Sequence, residues 1–250
     1  MTRAVLLELR KMRRLRTAPI AGLLVLAVAA LSSASQFSGG TRDTFDDPAA
    51  APWAALLLTY TLMAAMTSPI LTAVLASRQT DIEHTGAGWT LAAAAGYSPG
   101  LLCRAKVVAL SLVLLPAVVL QSLLVIGAGV AAGIRVPLEP GPWLGYTALL
   151  LLVDIAFLAL HVWLAATVEN QLVSVGVGLL GAFLAAFTML LPGTFSRLLP
   201  WGYYAVIAHV AQDGDHVAHL TPPYGWVAGF LILVGAVFAI ATRRLDRIER

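Results

Sequence analysis

The chain has 250 residues, of which 59 % are apolar and only 12 % charged, with a formal net charge of +3. Soluble domains carry about a quarter charged residues and need them to cover their surface, so a water-soluble fold and a disordered chain are both excluded. A single cysteine, Cys103, excludes a disulfide framework and any multi-cysteine metal centre. What remains is an all-α membrane protein of several spans.

Residues 1–16 carry Arg3, Arg10, Lys11, Arg13, Arg14 and Arg16. Val5, Leu6, Leu9, Met12 and Leu15 recur there at helical spacing, with Arg3, Arg10 and Arg14 on another face. This predicts an interfacial helix whose basic residues (Arg10, Lys11, Arg13 and Arg14) lie near anionic headgroups; an unstructured basic tail is the alternative. About 20 apolar residues cross a bilayer. Charged residues delimit six such segments: 17–37, 53–76, the stretch between Lys106 and Arg135, 143–168, 171–191 and 224–242. The first also resembles a signal peptide, but cleavage would leave five spans and contradict the charge bias, so an uncleaved anchor is expected. The apolar stretch Leu198 to Val210 is only 13 residues long and holds Pro200 and Gly202. It is too short to cross, and predicts a re-entrant segment.

Six spans place both termini on one side of the membrane. Thirteen of the sixteen Lys and Arg fall on that side; only Arg42, Arg135 and Arg197 fall on the other. The bias predicts cytoplasmic termini, and the expected location is the inner (plasma) membrane. Trp53, Trp143, Trp201 and Trp226 fall at the predicted outer boundary, as an aromatic belt would.

Span four contains Asp154, and a central Asp costs roughly 2.5–3.5 kcal/mol to insert. His161 lies seven residues on, on the same helical face but about 10 Å along the axis. Three uses are open: an interhelical hydrogen bond that braces the bundle, a polar patch in a transport pathway, or a catalytic pair. Asp213, Asp215, His216 and His219 form a short polar cluster on the outer face, where a solvated loop is expected rather than a metal site. Ser174, Gly178 and Ala182 recur every four residues in span five; Gly129 and Gly133 do so in span three, and Gly225 and Gly229 in span six. Such small residues let helices approach closely. Pro69 and Pro116 should kink spans two and three. Gly176-Val-Gly178-Leu-Leu-Gly181 matches a dinucleotide fingerprint formally, but it lies inside a span with no preceding strand. No phosphate-binding loop is present.

The predicted cytoplasmic loop, residues 77–99, is the most distinctive segment. It holds Asp81 and Glu83 in otherwise basic surroundings, then Gly86, Gly88, Trp89 and Leu91. Residues 87–95 should form a short helix ending at Gly96, and Ser98 with Pro99 should start the next helix. A short helix bearing an exposed Trp89 predicts a protein-docking element; a plain solvated connector is the alternative.

This loop, with Glu8-Leu-Arg-Lys11-Met-Arg-Arg14, Gly-Trp89-Thr-Leu91, Gly-Tyr-Ser-Pro99, Lys106 and Leu199-Pro200-Trp201, resembles the permease subunits of type 2 ABC exporters. Within that class it is most similar to permeases of lantibiotic-immunity and multidrug-export systems. The resemblance implies two paired permeases, identical or related, over two separate ATPase subunits that bind ATP and Mg, and no cofactor or metal in this chain. It implies an amino-terminal connecting helix, a coupling helix around Glu83 to Leu91, a six-span domain over 17–250, and outer re-entrant helices over 195–223. The expected function is outward movement of an amphipathic substrate, such as a peptide antibiotic or drug-like compound. Membrane lipid is an expected partner and nucleic acid is not. An intramembrane enzyme using Asp154 and His161, a stand-alone channel or secondary transporter, and a binding subunit that only sequesters a peptide are the alternatives.

Overall fold

Three prolines fix where long helices begin. A proline in the first turn forfeits no hydrogen bond and has the helical φ already set. Pro52, Pro99 and Pro140 each open a helix in the computed structural model, which describes residues 1–38, 44–214 and 216–248. Arg42 and Asp215, invoked above, and Arg250, one of the thirteen basic residues counted on the termini's side, lie outside that set.

The elements are α1 (Thr2–Arg14), α2 (Thr17–Ser33), α3 (Pro52–Thr85), α4 (Gly88–Ala94), α5 (Pro99–Ala132), α6 (Pro140–Thr167) and α7 (Gln171–Thr188). They continue with α8 (Gly193–Leu198), α9 (Tyr203–Val206), strands β1 (Val210–Asp213) and β2 (His216–His219), and α10 (Tyr224–Ile248). Six helices are long and apolar enough to cross a membrane. Ser98 Oγ accepts from the Leu101 amide at 3.4 Å and starts α5, as the sequence predicts. Asn170 Oδ1 does the same for α7 through the Leu172 amide at 3.0 Å.

Helix α3 is central and packs against α2, α5, α6 and α7, while α10 packs on α5 and α6 at the periphery. Its 34 residues span about 51 Å, well beyond a hydrocarbon core of about 30 Å. The surplus corrects the predicted loop over 77–99. Arg78, Asp81 and Glu83 are the last turns of α3, and only the turn around Gly86 and Ala87 separates them from α4. α1 and α4 lie at one end of the bundle, here the α4 end; the β1–β2 hairpin and α8–α9 lie at the other.

The small residues sort into two groups. Gly178 faces Pro69 and Ala73 on α3: a Cβ there would collide with the Ala73 methyl and sit 2.8 Å from the Pro69 carbonyl. Ser174 and Ala182 on the same stripe are buried, so the α3–α7 contact is the close approach the spacing predicts. Gly129 meets Trp53 and Leu56 in the same way. Gly133, Gly225 and Gly229 do not pack on a neighbouring helix. Gly133 ends α5 at φ +105°, and nothing within 4 Å would meet a Cβ at any of the three. Gly178→Val should therefore separate α7 from α3 and lower the thermal unfolding midpoint in detergent, at a cost of about 1–3 kcal/mol; Gly225→Val should leave it unchanged.

Two other expectations are corrected. Trp53 and Trp143 are core residues, 7 % and 3 % exposed, and not an outward belt. Tyr60 stacks on Trp143 at 6.1 Å and meets Tyr146 edge-on at 5.4 Å. The segment 195–223 is only partly helical. It enters the bundle through α8 and α9 and then forms a hairpin pairing Val210 with His219 and Asp213 with His216.

Candidate functional site

At the α4 end, four charged side chains from three helices converge. Glu8 comes from α1, Glu83 from the last turn of α3 and Lys106 from the second turn of α5. Ala4, Glu8 and Met12 form the buried face of α1, so an acid occupies the position where the amphipathic pattern leads one to expect a hydrophobe. Lys106 Nζ donates to Glu8 Oε2 at 2.8 Å, Glu83 Oε1 at 2.7 Å and the Gln79 carbonyl at 2.9 Å. Lys11 Nζ donates to Glu8 Oε1 at 2.7 Å and Glu83 Oε1 at 2.6 Å. Gln79 Nε2 donates to Glu8 Oε2 at 2.8 Å. Glu8 and Lys106 are fully buried, while the Lys11 side chain keeps a third of its surface in contact with solvent. Burial opposes the Lys11 charge, but its bonds to Glu8 and Glu83 outweigh that and hold its pKa above the ordinary lysine value.

The cluster balances two cations with two anions, which is what makes such burial tolerable. Arg16 turns the chain between α1 and α2 in the left-handed region (φ 52°), and Arg78 Nη2 donates to the Leu15 carbonyl at 3.0 Å at the end of α1. Arg10, Arg13 and Arg14 remain exposed, as expected of an interfacial face.

Helix α4 hangs from this cluster by two adjacent residues. Glu83 lies directly under Gly88, where a Cβ would sit 2.7 Å from the Glu83 Cα and collide with its carboxylate. His84 is the second link. Its Nε2 donates to the Ala165 carbonyl of α6 at 2.8 Å, and its Nδ1 accepts the Trp89 indole N–H at 3.4 Å. Trp89 meets the His84 ring edge-on, with centroids 5.7 Å apart. Two expectations change here. Glu83 is buried and faces the cluster rather than the surface, and Trp89 is half-buried. Leu91 is the large apolar side chain α4 leaves outside, at 67 % exposure, and Asp81 is partly exposed one turn before Thr85.

Asp154 and His161 go to separate partners. Asp154 is fully buried and accepts from Tyr204 Oη at 2.8 Å and Ser68 Oγ at 3.3 Å. His161 Nδ1 bonds to Ser174 Oγ at 3.1 Å. Asp154 is at the middle of α6, as the sequence predicts. It ties α6 and α3 to the re-entrant segment beneath the hairpin. Phe157 is stacked there between Trp201 and Tyr204 at 5.6 and 5.3 Å. No group of three or more His, Cys, Asp or Glu suited to a metal occurs among the described residues.

The family model of the ABC-2 family transporter protein matches residues 4–185. The chain belongs to the ABC-2 transporter family. The matched region runs from the buried face of α1 through α7 and takes in the ion cluster, α4, Asp154 and His161; α8, α9, the hairpin and α10 lie beyond it. No curated protein matches the chain. As an ABC-2 family member with six spanning helices, it is a multi-pass membrane protein and a permease-type component of transport, and the family implies association with ATPase subunits. Sequence reasoning missed His84 as a functional candidate, and it quoted Glu8 and Lys106 for the resemblance without seeing that they pair. The available signal was an acid on the apolar stripe of α1 and a lysine already inside an apolar helix.

Proposed function

We propose that the chain is the permease subunit of an ATP-driven exporter, with both termini cytoplasmic in the plasma membrane. α4 docks on a separate ATPase subunit that binds ATP and Mg, and two permeases, identical or related, form the pathway. The observation that carries this reading is the mounting of α4: a short helix with Leu91 outward is hinged through Glu83 to α1 and α5, and through His84 to α6. A push on α4 then moves α3 together with α1, α5 and α6, the rigid-body motion that ATPase closure requires. Asp154 and His161 brace the bundle, and the cargo is an amphipathic compound of the peptide-antibiotic or drug class.

With the ATPase co-expressed, Leu91→Asp places a charge on the docking face without touching the cluster. It should reduce ATPase co-purification and substrate-stimulated ATP turnover about tenfold or more while leaving the permease's unfolding midpoint unchanged. Unchanged turnover would contradict the docking assignment.

A further inference from the structure

A cavity of about 780 Å³ opens along the flank of the bundle between α6 and α10. It begins at Arg197 and Trp226, passes over Gly225 and Gly229, and ends at Val237 and Phe238. From Gly225 to Phe238 is about 20 Å along α10, the length of an extended acyl chain. Gly225 and Gly229 form its floor, since nothing within 4 Å would meet a Cβ at either. Its walls are apolar, and it continues onto the exposed α10 residues Ile232, Leu233 and Val237. One cation stands at its mouth: the Arg197 guanidinium lies 5.8 Å from the Trp226 ring centre. Among the described residues no carboxylate pairs with it. Tyr224 and Trp226, both about half exposed at the start of α10, are the aromatic anchors that mark headgroup depth.

We propose that this groove is a binding site for one anionic phospholipid of the hairpin-side leaflet, its phosphate on Arg197 and an acyl chain along the glycine floor. Charge and depth select this occupant. A cation at headgroup level above a chain-length apolar slot complements an anionic amphiphile, and the groove already faces the bilayer. A second copy seated there about a twofold axis along the membrane normal would set its own Arg197 at the same depth, placing like charges together. The outer face of α7 carries Leu179, Leu180 and Phe183 without a charge and suits that role better. The site is independent of the ATPase assignment.

The test reconstitutes the full chain in nanodiscs containing phosphatidylglycerol or phosphatidylcholine brominated near the ester. Trp226 quenching is read as the difference from Trp226→Phe. Phosphatidylglycerol should quench Trp226 with about tenfold higher apparent affinity than phosphatidylcholine. Arg197→Gln should remove that preference, and Gly229→Leu, which fills the slot, should remove the quenching itself. Arg243, Arg244 and Arg247 at the other end of α10 are untouched and supply the nonspecific baseline. Equal quenching by the two lipids, or a preference that survives Arg197→Gln, overturns the proposal. So does efficient disulfide formation between Gly229→Cys copies, which puts a second copy in the groove.

Discussion

Lys106→Met should destabilise the protein by about 3–5 kcal/mol, the usual consequence of stripping one partner from a buried charge group. Glu8 and Glu83 would then share Lys11 alone, whose side chain is one-third exposed. The loss should appear as a large drop in the unfolding midpoint in detergent and as faster proteolysis within α1. Adding Glu83→Gln should recover most of it, because one buried cation–anion pair, Lys11 with Glu8, then remains. A double variant less stable than the single, by the full cost of Glu83→Gln alone, would mean that the cluster is a set of independent bonds. It would also remove the basis for treating α1, α3 and α5 as one moving body.

The second large effect concerns the re-entrant segment. Asp154→Leu leaves the buried Tyr204 and Ser68 hydroxyls without their acceptor, a cost of about 1–3 kcal/mol. Asp154→Asn keeps an acceptor oxygen and should stay close to the parent. Hydrogen exchange across α8, α9 and the hairpin should rise in the Leu variant and not in the Asn variant. Tyr204→Phe added to Asp154→Leu should bring little further loss, since both act through one bond. Transport should follow stability in this series. Abolished transport in a fully stable Asp154→Asn would point instead to proton transfer or catalysis at this carboxyl.

The features that were legible in the sequence are those that depend on local chemistry. Spans are written in hydropathy, the start of α5 in Ser98 and Pro99, and close packing in the Ser174–Gly178–Ala182 stripe. The features that were not legible depend on which distant residues meet. Glu8, Glu83 and Lys106 stand far apart in the chain, and each has a plausible solvated reading on its own; only the folding of α1 back against α3 and α5 makes them partners. Glu83 was placed on the docking surface for that reason. Glycine pairs look alike in sequence whether they meet a helix, as Gly178 does, or line an open groove, as Gly225 and Gly229 do.

The central claim is that α4 receives the ATPase's motion at the end of the bundle opposite the hairpin. A photo-crosslinking residue installed in turn at Leu91 and at Gln212 of the hairpin, in the assembled complex, tests it most directly. The account predicts an ATPase adduct from Leu91 alone, with a yield that changes between the nucleotide-free and ATP-bound complex. An adduct from Gln212, or none from Leu91 in a complex that hydrolyses ATP, would contradict it.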